Sequence, residues 1–233
     1  VKDQILSPRY GGPLIGAIRD FITAAYLLTR SSTYLREDEV CNLLTAIGYE
    51  GPLPEPAIKE PEPLWSGKQI FSLLLPKDLN YVMKASICKG CPKCLKDKCP
   101  YDAYVVVKNG QLICGVIDRN AIGAEKSESI LHRIVKEYGT EAAKNFLNSL
   151  CRMLNVFVTM RGFSYSLDEL DVPAEIKEAI RRRTAEAKKE IEELLRQYRE
   201  GTLPRLPGQT LEGSFEIYAM NELARARDDA SNY

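Results

Sequence analysis

Apolar residues recur at three- and four-residue steps along most of this chain, which predicts a mainly helical protein. One apolar stripe that begins at Pro13 predicts a first helix with proline in its first turn. A second stripe from about Arg36 predicts a helix that ends at Gly48. Two further helices are predicted on either side of Gly139, and the second of them ends at Gly162.

The middle of the chain has a different pattern. Five prolines between residues 51 and 67 predict an extended, stiff connector. Two β-prone runs, 104–108 and 111–117, flank Asn109-Gly110. This dipeptide accepts the positive φ angles of a type I′ turn, so the pattern predicts a β-hairpin.

The last third is rich in charged residues on a helical period. Pro173 opens an uninterrupted run to about Glu200, Gly201 breaks it, and Thr210 caps a second amphipathic run. A short break between two such helices predicts an antiparallel two-helix hairpin that projects from the rest of the protein. The sequence therefore predicts an α+β fold, mainly helical, with a small hairpin-containing sheet and two domains, 1–162 and 163–233.

Composition and charge exclude several classes of protein. The 233 residues are 45% hydrophobic, and the 32 basic side chains balance 32 acidic ones, so no net field attracts the whole chain to nucleic acid or an anionic membrane. No apolar stretch is long enough to cross a bilayer, which predicts a chain without a membrane partner. An odd count of seven cysteines argues against a secreted disulfide framework and for a reducing compartment, so we expect a cytoplasmic location.

Four of the cysteines lie close together, in an insertion that we place at residues 86–100. They are Cys88, Cys91, Cys94 and Cys99. The spacing allows all four sulfurs to surround one structural Zn²⁺ ion if the loop doubles back. It also approaches the bacterial ferredoxin run, in which the last cysteine likewise precedes a proline, so an iron–sulfur cluster and a metal-free loop remain alternatives. From the residues alone, a free-standing zinc-binding interaction module or a small iron–sulfur electron carrier would fit.

Catalytic patterns are missing from the sequence. His132 is the only histidine, the acidic residues never form a tight Asp-x-Asp-x-Asp set for magnesium, and no Gly-x-Ser-x-Gly elbow is present. The run at residues 181–183 of three arginines is most simply a solvated helix face. We therefore expect no catalytic residue here and no complete enzyme.

Three stretches resemble one known family. They are Ile5-Leu-Ser-Pro-Arg-Tyr-Gly-Gly-Pro-Leu-Ile-Gly16, Pro56-Ala-Ile-Lys-Glu-Pro-Glu-Pro-Leu-Trp-Ser-Gly-Lys-Gln-Ile70 and Asp102-Ala-Tyr-Val-Val-Val-Lys-Asn-Gly110. They are similar to the largest subunit of multisubunit DNA-directed RNA polymerase. The Leu-Trp-Ser-Gly-Lys-Gln motif and Ala226-Arg227-Asp228 resemble the archaeal and eukaryotic form of that protein, and the cysteine insertion resembles archaeal versions. The resemblance runs in unbroken order through essentially the whole chain.

The resemblance implies a role beside the catalytic centre of a transcribing polymerase. Residues 1–162 would form the pore and 163–233 the first part of the funnel around the secondary channel, through which nucleotides enter and backtracked RNA is extruded. The family's magnesium-binding Asp motif would lie before Val1, and the bridge helix and trigger loop after Tyr233. The chain alone is then expected to be inactive, and to meet DNA, RNA and magnesium only through the assembled enzyme and its other subunits.

The resemblance also gives the two-helix hairpin a partner. Transcript-cleavage factors or other channel regulators dock on the funnel rim, and we predict Arg181, Arg182 and Lys189 as docking residues. Leu223 and Arg227 match a family patch that faces the channel and the bridge helix. Ala224 stands where that patch has asparagine, so inhibitor binding at this spot is not implied.

Overall fold

A computed structural model of the chain describes residues 2–88 and 94–232. The chain falls into two units, Val1–Phe163 and Ser164–Tyr233. The described helices are α1 (Asp20–Thr29), α2 (Glu37–Ile47), α3 (Gly67–Ser72), α4 (Arg119–Ile122), α5 (Ile130–Arg161), α6 (Ala174–Glu200) and α7 (Leu211–Ser231). The described strands are β1 (Tyr34–Leu35), β2 (Trp65–Ser66), β3 (Tyr81–Lys84), β4 (Tyr104–Lys108) and β5 (Gln111–Cys114). Helices thus dominate and the sheets are small and antiparallel, as an α+β fold requires.

The first helix begins later than the sequence predicts. α1 starts at Asp20 rather than at Pro13, because the backbone before it forms hydrogen bonds with other segments and not along a helix. The N–H of Leu14 donates to the Ile5 carbonyl and that of Ala17 to the Ile122 carbonyl, both at 2.8 Å. These tertiary bonds outweigh the helical period of the side chains, and α1 begins only after residue 19.

The predicted turn signals mark the ends of the elements. Gly48 closes α2 in the left-handed conformation (φ 67°), and Gly139 (φ 84°) interrupts α5 between the two predicted helices. Asn109 and Gly110 both have positive φ, 48° and 71°, which confirms the hairpin between β4 and β5. β5 ends at Cys114, three residues before the predicted run does.

A third strand that the sequence does not reveal completes the main sheet. β3 pairs antiparallel with β4 in the order β3-β4-β5, with Lys84 opposite Tyr104. In the second sheet β1 pairs antiparallel with β2, with Leu35 opposite Trp65.

The Trp-Ser-Gly-Lys segment joins the second sheet to the helical core. Trp65 is buried and donates from Nε1 to the Pro54 carbonyl at 2.7 Å, which holds the proline-rich connector against the unit. Ser66 Oγ caps α3 by accepting from the Gln69 N–H. In return, Gln69 Oε1 accepts from the Ser66 N–H at 2.9 Å. A Cβ at Gly67 would lie 1.9 Å from the Leu28 carbonyl oxygen, so the contact between α3 and α1 requires glycine.

The hydrophobic core of this unit lies between α1, α2, α3, α5 and the main sheet. Its largest fully buried side chains include Leu28, Leu43, Ile70, Phe71, Leu79, Ile117, Ile134 and Leu150.

α6 and α7 pack against each other in the smaller unit. α6 ends at Gly201 (φ 70°), and Thr210 caps α7 by accepting from the Gly213 N–H at 3.0 Å. The Tyr198 and Phe215 rings lie 5.2 Å apart near the connection, while Arg183 reaches Asp229 at the far end, so the two helices run antiparallel.

Candidate functional site

The cysteine insertion is the connection between two paired strands. β3 and β4 are neighbours in the sheet, and beyond their last pair the N–H of Ala85 donates to the Ala103 carbonyl at 2.9 Å. Residues 86–102, which we call the cysteine loop, therefore leave the sheet and return to it at one point. Ends that are held together in this way are compatible with a four-cysteine metal site.

Two carboxylates hold the two ends of the cysteine loop. Buried Asp118 accepts from the N–H and the hydroxyl of Ser86 at 2.5 and 2.6 Å, and caps α4 by accepting from the Asn120 N–H at 2.9 Å. Asp102, at the other end, accepts from the Gly115 N–H at 2.7 Å and pairs with Lys68 at 2.5 Å. The base of the loop is thus fixed by charged acceptors that make several hydrogen bonds each.

The cysteines themselves are only partly described. Cys88 and Cys99 are half-buried and Cys94 is exposed, while Cys91 lies outside the described residues. Within residues 2–88 and 94–232, no three His, Cys, Asp or Glu side chains are grouped so that they could hold a metal ion. Metal binding by the cysteine loop therefore stays a prediction that rests on the spacing and on the closed base of the loop.

Lys68 and Asp102 form a contact that sequence reasoning missed. Both are largely buried, and they join the Trp-Ser-Gly-Lys segment to the end of the cysteine loop across 34 positions of sequence. The available signal was that both belong to stretches that carry the family resemblance. The pair connects the buried core to the candidate metal loop.

His132 is buried in the first turn of α5. Its Nδ1 accepts from the Glu128 N–H at 3.0 Å, and its Nε2 has no hydrogen-bond partner in the described part of the chain. Burial, helped by the charge of Lys136, lowers the pKa of His132 below its usual value. The side chain is therefore neutral at pH 7.

The three arginines at the middle of α6 do not share one environment. Arg181 is exposed and lies 3.7 Å from Glu178, and Arg182 is exposed too. Arg183 is only 8% exposed, and it donates to Asp229 and Glu222 of α7 at 2.8 and 2.7 Å. Arg183 therefore links α6 to α7 through two ion pairs. Its hydrogen bonds to Asp229 and then to Glu222 raise its pKa.

The predicted docking residues lie on the exposed side of α6. We call Arg181, Arg182 and Lys189 the docking face. Lys189 also borders a groove of about 610 Å³ between α6 and α7, where Arg225 lies 3.3 Å from Glu190 and 3.0 Å from Glu222.

Leu223 and Arg227 lie on α7. Leu223 is 54% exposed, and Arg227 is exposed and pairs with the neighbouring Asp228 at 2.7 Å. Both side chains are accessible in the described chain, and their predicted role toward a channel remains a prediction.

The fold and these sites define a class of protein once the chain is compared with known families. The family model described as RNA polymerase Rpb1, domain 3, matches residues 4–170. The chain therefore belongs to the largest-subunit family of DNA-directed RNA polymerase, as the sequence motifs predict.

Individual relatives extend the match to nearly the whole chain. DNA-directed RNA polymerase subunit Rpo1N of Methanocaldococcus jannaschii is 48% identical over 231 residues, 99% of this chain and 17% of the relative. Subunit Rpo1N of Sulfolobus acidocaldarius is 41% identical over 97% of this chain and 26% of the relative. The human DNA-directed RNA polymerase III subunit RPC1 is 32% identical over 99% of this chain and 17% of the relative. The chain thus spans about a sixth to a quarter of the length of these relatives.

The sequence predicts no membrane-spanning segment. In the described ranges, no helix is long and apolar enough to cross a membrane.

Proposed function

We propose that this chain is a segment of the largest subunit of a DNA-directed RNA polymerase and forms part of the wall of the polymerase's secondary channel. Val1–Phe163 would serve as the pore and Ser164–Tyr233 as the first part of the funnel. The observation that carries this proposal is the 48% identity to subunit Rpo1N of Methanocaldococcus jannaschii across 99% of the chain. A free-standing zinc module or an electron carrier is not favoured, because neither explains a match that includes both units.

The proposed role divides the chemistry between this chain and the rest of the polymerase. The sequence contains no tight Asp cluster for the paired magnesium ions of nucleotidyl transfer, so those ions would be held by carboxylates of other segments. This chain would assemble with the other polymerase subunits in the cytoplasm. It would meet RNA, DNA and nucleotides only there.

A chimeric polymerase tests the channel role. The matching segment of the Methanocaldococcus jannaschii subunit is replaced by this chain, the enzyme is reconstituted, and a photo-crosslinking amino acid is placed at Leu223 or, as a control, at Tyr34. Both side chains are large and hydrophobic, and Leu223 is 54% exposed and Tyr34 44%. We expect an active chimera that crosslinks backtracked RNA from position 223 and not from 34. A chimera that fails to assemble would contradict the family role, and an active one without the crosslink would contradict the channel role.

We also propose that Cys88, Cys91, Cys94 and Cys99 together bind one structural Zn²⁺. The support is their spacing and the closed base of the cysteine loop, where Ala85 bonds to Ala103. The ion would supply four thiolate bonds that join residues 88, 91, 94 and 99 of the loop. An iron–sulfur cluster is the competing occupant, and its colour distinguishes it from spectroscopically silent zinc.

The docking face is proposed to bind a transcript-cleavage factor or another channel regulator. Its three cations are exposed, and the ion pairs and ring contact that join α6 to α7 are made by other residues, among them Arg183. Charges in this position steer a partner of opposite charge without contributing to the packing of the helix pair.

A further inference from the structure

β3 is an edge strand with unused hydrogen-bonding groups on its outer side. Among the described strands it pairs with β4 alone. The bond from the Ala85 N–H to the Ala103 carbonyl shows that the backbone groups of residues 81, 83 and 85 point toward β4. Residues 82 and 84 therefore direct their backbone groups away from the sheet. The Lys84 carbonyl accepts from Asn120 Nδ2 at 3.3 Å, whereas no bond to the N–H or carbonyl of Val82 exists in the described ranges.

This edge faces an open cleft of about 620 Å³, which we call the β3 cleft. Residues 80–84 form one wall, and residues 126–128 with the first turns of α5 form the other. Tyr81 Oη donates to the Glu128 carbonyl at 2.7 Å across the base, and the Glu128 N–H is fixed by His132. Both walls are therefore tied to each other, and the cleft has the size of a ligand pocket before anything binds.

The β3 cleft is strongly basic. Its lining carries four cations, Lys84, Lys126, Arg133 and Lys136, against the single carboxylate of Glu128. Arg133 already pairs with Glu137 at 2.7 Å, but none of the three lysines has an ion-pair partner in the part of the chain that the structure describes. Like charges gathered without partners create a positive potential that an acidic ligand would relieve.

We propose that the β3 cleft binds an extended acidic peptide segment of a partner protein. The segment adds to β3 as a fourth strand, about 4.8 Å away, and exchanges backbone hydrogen bonds with Val82. Its acidic side chains meet Lys126 and Lys136 on the opposite wall. A nucleic-acid strand would satisfy the lysines but has no alternating N–H and carbonyl groups for the free edge, so the edge favours a peptide. The cleft would take such a segment whether or not the chain lines a channel.

The test measures binding of a labelled peptide of alternating glutamate and valine to the 233-residue chain by fluorescence anisotropy and amide chemical shifts. We expect binding, with the largest shifts at the Val82 amide. A peptide with lysine in place of glutamate should not bind, and a single-stranded oligouridine should not shift the Val82 amide. Absence of acidic-peptide binding, or oligouridine binding that shifts Val82 instead, would overturn the proposal.

Two substitutions separate the backbone bonds from the charges. Val82→Pro removes the outward N–H, which an edge strand tolerates, and should weaken the peptide roughly fivefold by the loss of one hydrogen bond. Lys126→Glu with Lys136→Glu should slow association roughly tenfold at low salt, whereas Lys108→Glu, an exposed control outside the cleft, should change nothing. If Val82→Pro disturbs the fold, a peptide with ester links in place of amides replaces it. If the affinity for the peptide does not change when this backbone hydrogen bond is removed, by Val82→Pro or by the ester-linked peptide, strand addition is refuted.

Discussion

Asp118 should contribute more to the stability of the larger unit than any exposed carboxylate, because it joins three segments. Asp118 is 4% exposed and follows the main sheet in sequence. Its carboxylate accepts from the N–H and the hydroxyl of Ser86, at the start of the cysteine loop, and from the N–H of Asn120, at the start of α4. Replacement by alanine removes all three bonds at once. Replacement by asparagine keeps one acceptor for the helix cap but turns a donor toward the Ser86 N–H.

The expected loss follows from these contacts. Loss of a helix N-cap costs about 1 kcal/mol, and each of the two bonds from Ser86 adds about 1 kcal/mol, since Ser86 is exposed and water partly replaces the lost acceptor. Asp118→Ala should therefore lower the free energy of unfolding by about 3 kcal/mol, and Asp118→Asn by about 1 kcal/mol. Asp38, exposed and 3.5 Å from Arg36, provides the control, and its replacement by alanine should cost less than about 1 kcal/mol.

Urea unfolding followed by tryptophan fluorescence provides the measurement. Trp65 is the only tryptophan and is buried in the larger unit, so its emission reports that unit alone. With an m-value of about 2 kcal/mol per molar urea, a loss of 3 kcal/mol moves the midpoint by about 1.5 M. An Asp118→Ala midpoint within about 0.5 M of the Asp38→Ala midpoint would refute the idea that this carboxylate joins the loop to the core.

Three further predictions concern the metal, the histidine and the docking face. Purified protein should contain about one zinc per chain, lost when any two cysteines of the cysteine loop become serine; elemental analysis that finds no metal would contradict this. Burial lowers the pKa of His132 in the folded protein below its unfolded value of 6.5. As the pH falls below 6.5, His132 therefore takes up a proton more readily in the unfolded state, and the free energy of unfolding should decrease. In His132→Gln this drop should disappear from urea titrations at pH 7.5, 6.5 and 5.5, and an unchanged pH slope would refute the assignment. Reversal of the docking face to glutamate should slow cleavage-factor association at low salt while circular dichroism shows intact helices, and an unchanged rate would show that the factor docks elsewhere.

The sequence predicts elements well where a local signal decides them. Asn109-Gly110 specifies its turn. Gly48 and Gly201 end helices and Gly139 interrupts α5, because their positive φ angles disfavour other residues. The start of α1 is mispredicted for the opposite reason. Leu14 bonds to Ile5 and Ala17 bonds to Ile122. The periodicity of neighbouring side chains reports neither partner, and Ile122 is about a hundred positions from Ala17.

The candidate sites show the same division. The spacing of the four cysteines is visible in the sequence, but the carboxylates that close the loop are not. Asp118 is 32 positions from Ser86, and Lys68 is 34 positions from Asp102. β3 escapes sequence prediction because it is only four residues long and its period-2 pattern is short. Its cleft therefore appears only once the sheet has placed β3 opposite the start of α5.

The arginine run of α6 shows why residue identity alone is not enough to assign a role. Successive residues on a helix point about 100° apart, so Arg181 and Arg182 remain in solvent while Arg183 turns toward α7. Glu222 and Asp229 lie seven positions apart on α7, two turns on one face, and the guanidinium spans both. Reversing Arg183 would leave two carboxylates facing a third, so that substitution would separate the helices. The docking hypothesis can therefore be tested at 181 and 182 without disturbing the surface that presents them.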